Sequence, residues 1–129
     1  MRLKQLSENV YEEDYGMFFE DFKIGMVINH NPGRTITETD NTWITLLSLN
    51  NHPLHFNQEF SKNTEFGKIL VNSTVTFSII NGMTVSTLSY KCVANLGWNN
   101  VKLLKPVFIG DTLKAKSKIL SLRKSNSRK

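Results

Sequence analysis

The stretch NSTVTFSIINGMTVSTLS, residues 72–89, decides what kind of fold this chain takes. Val75, Phe77 and Ile79 alternate as one face of a strand would, and the run is rich in β-branched residues, which favour extended backbone. Val75, Ile79 and Met83 also fall at the spacing of a helix face, with Ile80 and Met83 one turn apart. Gly82 supports neither reading, since glycine weakens strand and helix interiors alike. On pattern alone the two readings stand level, and the flanking segments have to be read beside them.

Upstream, Thr37-Glu38-Thr39-Asp40 puts a hydroxyl N-cap three residues before an acid, which predicts a helix start. Trp43, Ile44, Leu46 and Leu47 supply the apolar stripe of that short helix. It is expected to stop near Asn50, because Pro53 lacks an amide donor and pushes His52 out of the helical region. Met26 to Ile36 reads as a strand with a bend or bulge at Asn31-Pro32-Gly33. Before it, Phe18, Phe19, Phe22 and Ile24 form an apolar cluster, ended by Gly25, that is expected to pack onto the body. Downstream, Tyr90 to Leu104 reads as one or two strands, Pro106 to Asp111 as a connection with a Gly-Asp turn, and Thr112 to Arg123 as a strand. A helix-rich middle between β segments predicts the α+β class rather than βαβ repeats.

Composition narrows the class. With 129 residues, 40% hydrophobic and 21% charged, the chain matches ordinary globular usage, which excludes disordered, collagen-like and disulfide-scaffold proteins. One domain spanning residues 1–129 is expected. Met1 to Tyr15 contains no apolar core of a signal peptide and no membrane span, so a cytoplasmic protein without membrane association is expected. Cys92 is the single cysteine, which rules out an internal disulfide and a multi-cysteine metal site; it reads as a small buried apolar residue. The net charge is +5, and from Lys114 to Lys129 there are seven Lys or Arg and no acid. Such a run attracts polyanions, but no aromatic residues interleave with it. Lys114, Lys116 and Lys118 alternate with Leu113, Ala115 and Ser117, so the solvent face of a strand is the better reading and no nucleic-acid partner is expected.

Three stretches in order, residues 37–57, 66–73 and 95–113, resemble the MaoC-type dehydratases, also called the hydratase 2 or (R)-specific enoyl-CoA hydratase group. Pro53-Leu54-His55, Phe60, Phe66-Gly67, Lys105-Pro106-Val107 and Gly110-Asp111-Thr112-Leu113 carry the resemblance. The family signature is D-x-N-P-L-H. Here Asn50-Asn51-His52-Pro53-Leu54-His55 keeps the histidine, has Asn50 for the aspartate and has His52 for the asparagine. With Val71-Asn72-Ser73 where the broad family has a His-Gly pair, the chain looks more like a subgroup that includes mesaconyl-CoA and itaconyl-CoA hydratases. The resemblance implies a hotdog fold, in which a curved antiparallel sheet wraps around one central helix, and so makes residues 72–89 that helix. Family members continue for two further strands beyond Arg123 to Lys129, so the expected domain lacks its last strands.

The resemblance also implies the chemistry. Hydration of an α,β-unsaturated acyl-CoA thioester needs a base for water, an acid for the α-carbon and donors for the thioester oxygen, without a metal or redox cofactor. Histidine suits proton traffic because imidazole titrates near about 6.5. His55 is the expected acid/base and Asn50 the residue that orients the water; an amide can hold a water molecule but not deprotonate it. If residues 72–89 form a helix, the first amides, at Asn72, Ser73 and Thr74, carry the positive end of its dipole and can hold a developing oxyanion, while Asn72 or Ser73 can equally serve as the cap. His52 and Arg34 complete the expected substrate-binding set, Arg34 by pairing with a carboxylate on a dicarboxylic acyl group. A metal pair at His52 and His55 lacks a third ligand. His30 reads as an exposed loop residue. The expected enzyme is therefore a hydro-lyase acting on a short acyl-CoA as a homodimer. The alternatives are an acyl-CoA thioesterase and a non-catalytic acyl-CoA-binding or dimer-partner subunit.

Overall fold

The computed structural model describes residues 2–126. In chain order its elements are β1 (Arg2–Ser7), β2 (Val10–Asp14), β3 (Val27–Thr35), α1 (Glu38–Leu47), α2 (Gln58–Lys62), α3 (Ser73–Thr84) and β4 (Thr112–Lys118). Short 3₁₀ turns cover Phe19–Asp21 and Pro53–His55, and a π turn covers Val85–Ser89. β1 pairs with β2, and β3 with β4. The described residues divide into two compact units: residues 31–82 with 97–114, and residues 2–30 with 83–96 and 115–126.

In the first of these units the question posed by residues 72–89 is answered as a helix. Val75 is fully buried and Ile79 packs beside it, together with Ile36, Ile44, Val71, Val107 and Leu113. Phe77 points elsewhere and meets Trp98 edge to face, with ring centroids 5.2 Å apart. A strand would have put Val75, Phe77 and Ile79 on one face; their separation is what a helical repeat requires. Complete burial of Val75 contributes roughly 1.5–3 kcal/mol relative to exposure.

The helix α1 begins as expected. Thr37 Oγ1 accepts from the Asp40 amide at 3.2 Å and Asp40 Oδ2 accepts from the Thr37 amide at 2.8 Å, a reciprocal cap worth about 1 kcal/mol. It ends at Leu47, three residues before the expected stop, and Leu49 lies in the left-handed region at φ 57°. Its inward face is a correction to the expected stripe. Asn41 and Thr45 are the buried residues, whereas Trp43, Leu46 and Leu47 are exposed and only Ile44 reaches the core. Residues 41 and 45 sit one turn apart on the side opposite 43, 46 and 47, so the helix faces the core with amide and hydroxyl groups.

The expected break at Asn31-Pro32 is a cis peptide bond inside β3, and the strand continues on both sides of it. Gly33 allows the close approach of β4, since a Cβ there would lie 3.0 Å from the Leu113 carbonyl oxygen. Exposed and less exposed residues alternate along β4 as read from the sequence: Lys114, Lys116 and Lys118 face solvent and Ala115 is buried. The strand stops at Lys118 rather than Arg123. Tyr90 to Leu104 forms no strand, which corrects the sequence reading. Alternation makes a strand only where a neighbour supplies the ladder, and among the described residues none pairs with it. The last three residues of the basic run, Ser127, Arg128 and Lys129, lie outside the described residues.

In the other unit the acidic start folds into the antiparallel β1–β2 hairpin, which the sequence reading did not anticipate. Asn9 takes the left-handed turn position at φ 58°, and Lys4 pairs with Glu12 across the ladder at 3.0 Å. Gly16 donates to the Ser86 carbonyl at 2.8 Å, and a Cβ there would lie 2.9 Å from the Tyr90 Cβ. Phe18, Phe19 and Phe22 line a concavity with Leu88 and Leu122, although Phe18 and Phe19 remain largely exposed. Cys92 is exposed, not buried as expected. His30 is the larger correction. It is only 5% exposed, inside β3, with Nε2 2.8 Å from Ser117 Oγ and Nδ1 3.1 Å from Thr87 Oγ1. No helix among the described residues is long and apolar enough to cross a membrane.

Candidate active site

A cavity of about 550 Å³ opens in the first unit, a size usual for small-molecule pockets. His52, His55, Ser73 and Lys105 line it among mostly apolar neighbours such as Phe66 and Leu104.

Pro53 starts the 3₁₀ turn that carries His55. His52 caps this turn: its Nδ1 accepts from the Leu54 amide at 3.2 Å. The turn is strapped to the segment before α3, because the Leu70 amide donates to the Leu54 carbonyl at 3.2 Å. His55 Nδ1 lies 2.9 Å from the Leu70 carbonyl oxygen. A carbonyl only accepts, so Nδ1 carries the proton and the lone pair is on Nε2. For His52 the reasoning runs the other way. A backbone amide only donates, so Nδ1 is the bare nitrogen and the ring proton is on Nε2.

A buried polar network fixes this turn against the start of α3. Asn41 Nδ2 donates to the His55 carbonyl at 2.7 Å, and Asn41 Oδ1 accepts from the Asn72 amide at 2.9 Å. Thr45 Oγ1 donates to Asn41 Oδ1 at 3.4 Å and accepts from Asn72 Nδ2 at 3.3 Å. Asn72 Oδ1 in turn accepts from the Thr74 amide at 3.0 Å, which is the helix cap. Every buried side-chain polar atom among the described residues is paired, so the network is satisfied and rigid.

The sequence-derived residues are thus sorted. His52, His55 and Ser73 line the cavity. Asn72 is buried as cap and bridge, and the Thr74 amide is spent on that cap, whereas Ser73, the first residue of α3, lines the cavity. Asn50 is half-buried, with Oδ1 accepting from the His52 amide at 3.1 Å, and it does not line the cavity. Arg34 pairs with Asp40 at 2.6 Å, also away from the cavity walls. The Thr37 backbone amide, more than Arg34, holds the Asp40 carboxyl below its usual range. Sequence reasoning missed Asn41 and Thr45, whose polar i, i+4 spacing on a helix was the available signal, and gave Phe66 and Lys105 no role although both sit in the resembling motifs.

Residues 20–129 match the MaoC like domain family. The chain belongs to that family. It is 34% identical over 112 residues to a mesaconyl-CoA hydratase of Cereibacter sphaeroides, an alignment that spans 87% of this chain and 33% of the relative. It is 35% identical over 114 residues to a beta-methylmalyl-CoA dehydratase of Chloroflexus aurantiacus, spanning 88% of this chain and 32% of that protein. The chain therefore spans about a third of the length of the curated relatives it matches. Among solved structures, the monoamine oxidase regulatory protein from Archaeoglobus superposes with a TM-score of 0.75 at 33% identity, over 87% of this chain and 76% of that one. The expected α+β hotdog class stands.

Proposed function

We propose that this MaoC like domain takes part in the reversible hydration of a short enoyl-CoA thioester, with His55 as the acid/base. The observation that carries the reading is the fixed tautomer of His55. With Nδ1–H committed to the Leu70 carbonyl, Nε2 offers a lone pair beside a cavity large enough for an acyl chain.

The step balances on that one ring. His55 Nε2 takes a proton from water while the water oxygen bonds to the β-carbon. The double-bond electron pair moves through the α-carbon onto the thioester oxygen, and the proton held by His55 then passes to the α-carbon, restoring the neutral imidazole. The Ser73 amide, at the positive end of α3, is the donor proposed for the developing oxyanion. In this scheme Asn72 acts through the cap and Asn50 through its hold on the His52 amide, and no metal or redox group is needed. The names of the relatives support a CoA thioester as substrate, and the exposed apolar side of α1, with Trp43, Leu46 and Leu47, supports a homodimer.

The test is to incubate the protein with crotonyl-CoA and with mesaconyl-CoA while following conjugated thioester absorbance and free thiol separately. Loss of absorbance without thiol release is the expected result. Thiol release assigns a thioesterase, and saturable binding with neither signal assigns a non-catalytic subunit.

A further inference from the structure

His52 and His55 line one cavity with opposite hydrogen-bonding character. The first has its proton on Nε2 because Nδ1 accepts from the Leu54 amide, and the second has its lone pair on Nε2 because Nδ1 donates to the Leu70 carbonyl. Their ring centroids are 6.0 Å apart and the planes are inclined at 58°. That separation is too long for a direct nitrogen–nitrogen hydrogen bond, so any link between the two rings has to pass through a third molecule. Phe60 meets His52 edge-on, with ring centroids 5.9 Å apart, which restricts rotation of the ring. The amide expected to orient the water, Asn50, has its oxygen taken by the His52 amide.

Resting on the hydration reading above, we infer that His52 is a second catalytic residue, whose Nε2–H donates to the oxygen of the attacking water while His55 Nε2 accepts one of its protons. The water oxygen is thereby oriented with a lone pair left for the β-carbon. His52 transfers no proton in this step: it begins and ends neutral, and the proton removed from water travels only through His55. The residue that stands where the family signature has asparagine thus supplies the second hold on water that Asn50 does not.

The experiment compares two substitutions in the full chain. His52→Asn keeps an acceptor two residues before the Leu54 amide, so the turn stays capped, but its short side chain removes the distal donor. His52→Gln reaches further and keeps a distal N–H. Loss of one positioned donor lowers kcat by about 100-fold. The expected result is that fall in His52→Asn, with KM changed less than about threefold and an unaltered melting temperature, and recovery of much of the loss in His52→Gln. Nitrogen-detected NMR of the free wild-type protein should find the Nε2–H tautomer at His52 and the Nδ1–H tautomer at His55. Wild-type kcat in His52→Asn, equal losses in both variants, or the Nδ1–H tautomer at His52 overturns the inference. Failure of the wild-type protein to hydrate either thioester overturns the underlying reading instead, which keeps the two outcomes apart.

Discussion

His30 and His55 are two imidazoles of one chain in opposite circumstances. His30 is buried in β3 with a hydroxyl on each ring nitrogen, Ser117 on one and Thr87 on the other, and burial holds its pKa below the ordinary value. His55 is half-buried, has one nitrogen tied to a carbonyl, and keeps the other free at a cavity wall. A ring with both nitrogens satisfied has nothing left to exchange with a ligand, whereas a ring with one nitrogen anchored has its tautomer chosen and its second nitrogen available. Burial alone therefore says little about a histidine's function; what separates the two is how many of the nitrogens are spoken for.

The comparison breaks most visibly at His55. His55→Ala is expected to lower kcat for hydration by about 10²–10⁴-fold, the usual worth of a positioned acid/base. Its cost in stability should be only about 1 kcal/mol, from the lost bond to Leu70. Steady-state kinetics with crotonyl-CoA, beside a denaturant melt, checks both halves, and near wild-type turnover sinks the assignment.

Asn41→Ala attacks the frame rather than the ring. It leaves the His55 carbonyl and the Asn72 amide without their partner, at positions where Asn41 itself is 1% exposed. A loss of about 2–4 kcal/mol is expected, with kcat also reduced in the folded protein as the His55 turn slackens. Unchanged stability would mean that the network is not what holds the turn.

His30 gives the opposite signature, stability without activity. His30→Ala should cost about 2–3 kcal/mol, because it opens a small cavity and takes a partner from the Ser117 hydroxyl, while Thr87 keeps its bond to the Thr84 carbonyl. Turnover by the folded molecules should be unaffected. The sign of the pH dependence follows from the depressed pKa. Below about 6.5 the unfolded chain binds a proton that the folded one refuses, so stability from His30 is complete above that pH and declines as pH falls through the folded value. Asp14 and Asp40, also depressed, lose stability in acid too, but equally in both proteins. The gap in unfolding free energy between wild type and His30→Ala should therefore narrow from pH 7.5 to pH 5; a constant gap would show that His30 titrates normally.

The two histidines also mark what the sequence could tell. The place of His55 on a cavity wall was legible because Pro-Leu-His sits in a motif string whose order resists chance, and the start of α1 was legible because Thr37 and Asp40 are a local device. His30 was misread because its partners, Ser117 and Thr87, are distant in sequence and no local pattern links them to it. The stripe of α1 was misread for a related reason. Hydrophobic periodicity assumes an apolar core, and here Asn41 and Thr45 are buried to serve the His55 turn and the α3 cap. For residues 72–89 the pattern was ambiguous because Val75 and Ile79 satisfy both periods; the family resemblance chose the helix, and the packing of Val75 and Ile79 away from Phe77 agrees with it.

The smallest effect is expected at Arg34, and it sharpens the boundary of the site. Its guanidinium pairs with Asp40 at 2.6 Å while its side chain stays half exposed, so Arg34→Ala should cost less than about 1 kcal/mol. The cap of α1 survives the change, because the Thr37 amide and hydroxyl still bind the Asp40 carboxylate. A guanidinium already committed to a carboxylate has little to offer a second one, so the ratio of KM values for mesaconyl-CoA and crotonyl-CoA should stay the same in the variant. A rise in KM confined to mesaconyl-CoA would instead mean that Arg34 leaves Asp40 to bind the distal carboxylate of a dicarboxylic substrate, and the site would then extend along β3 beyond the cavity around His55.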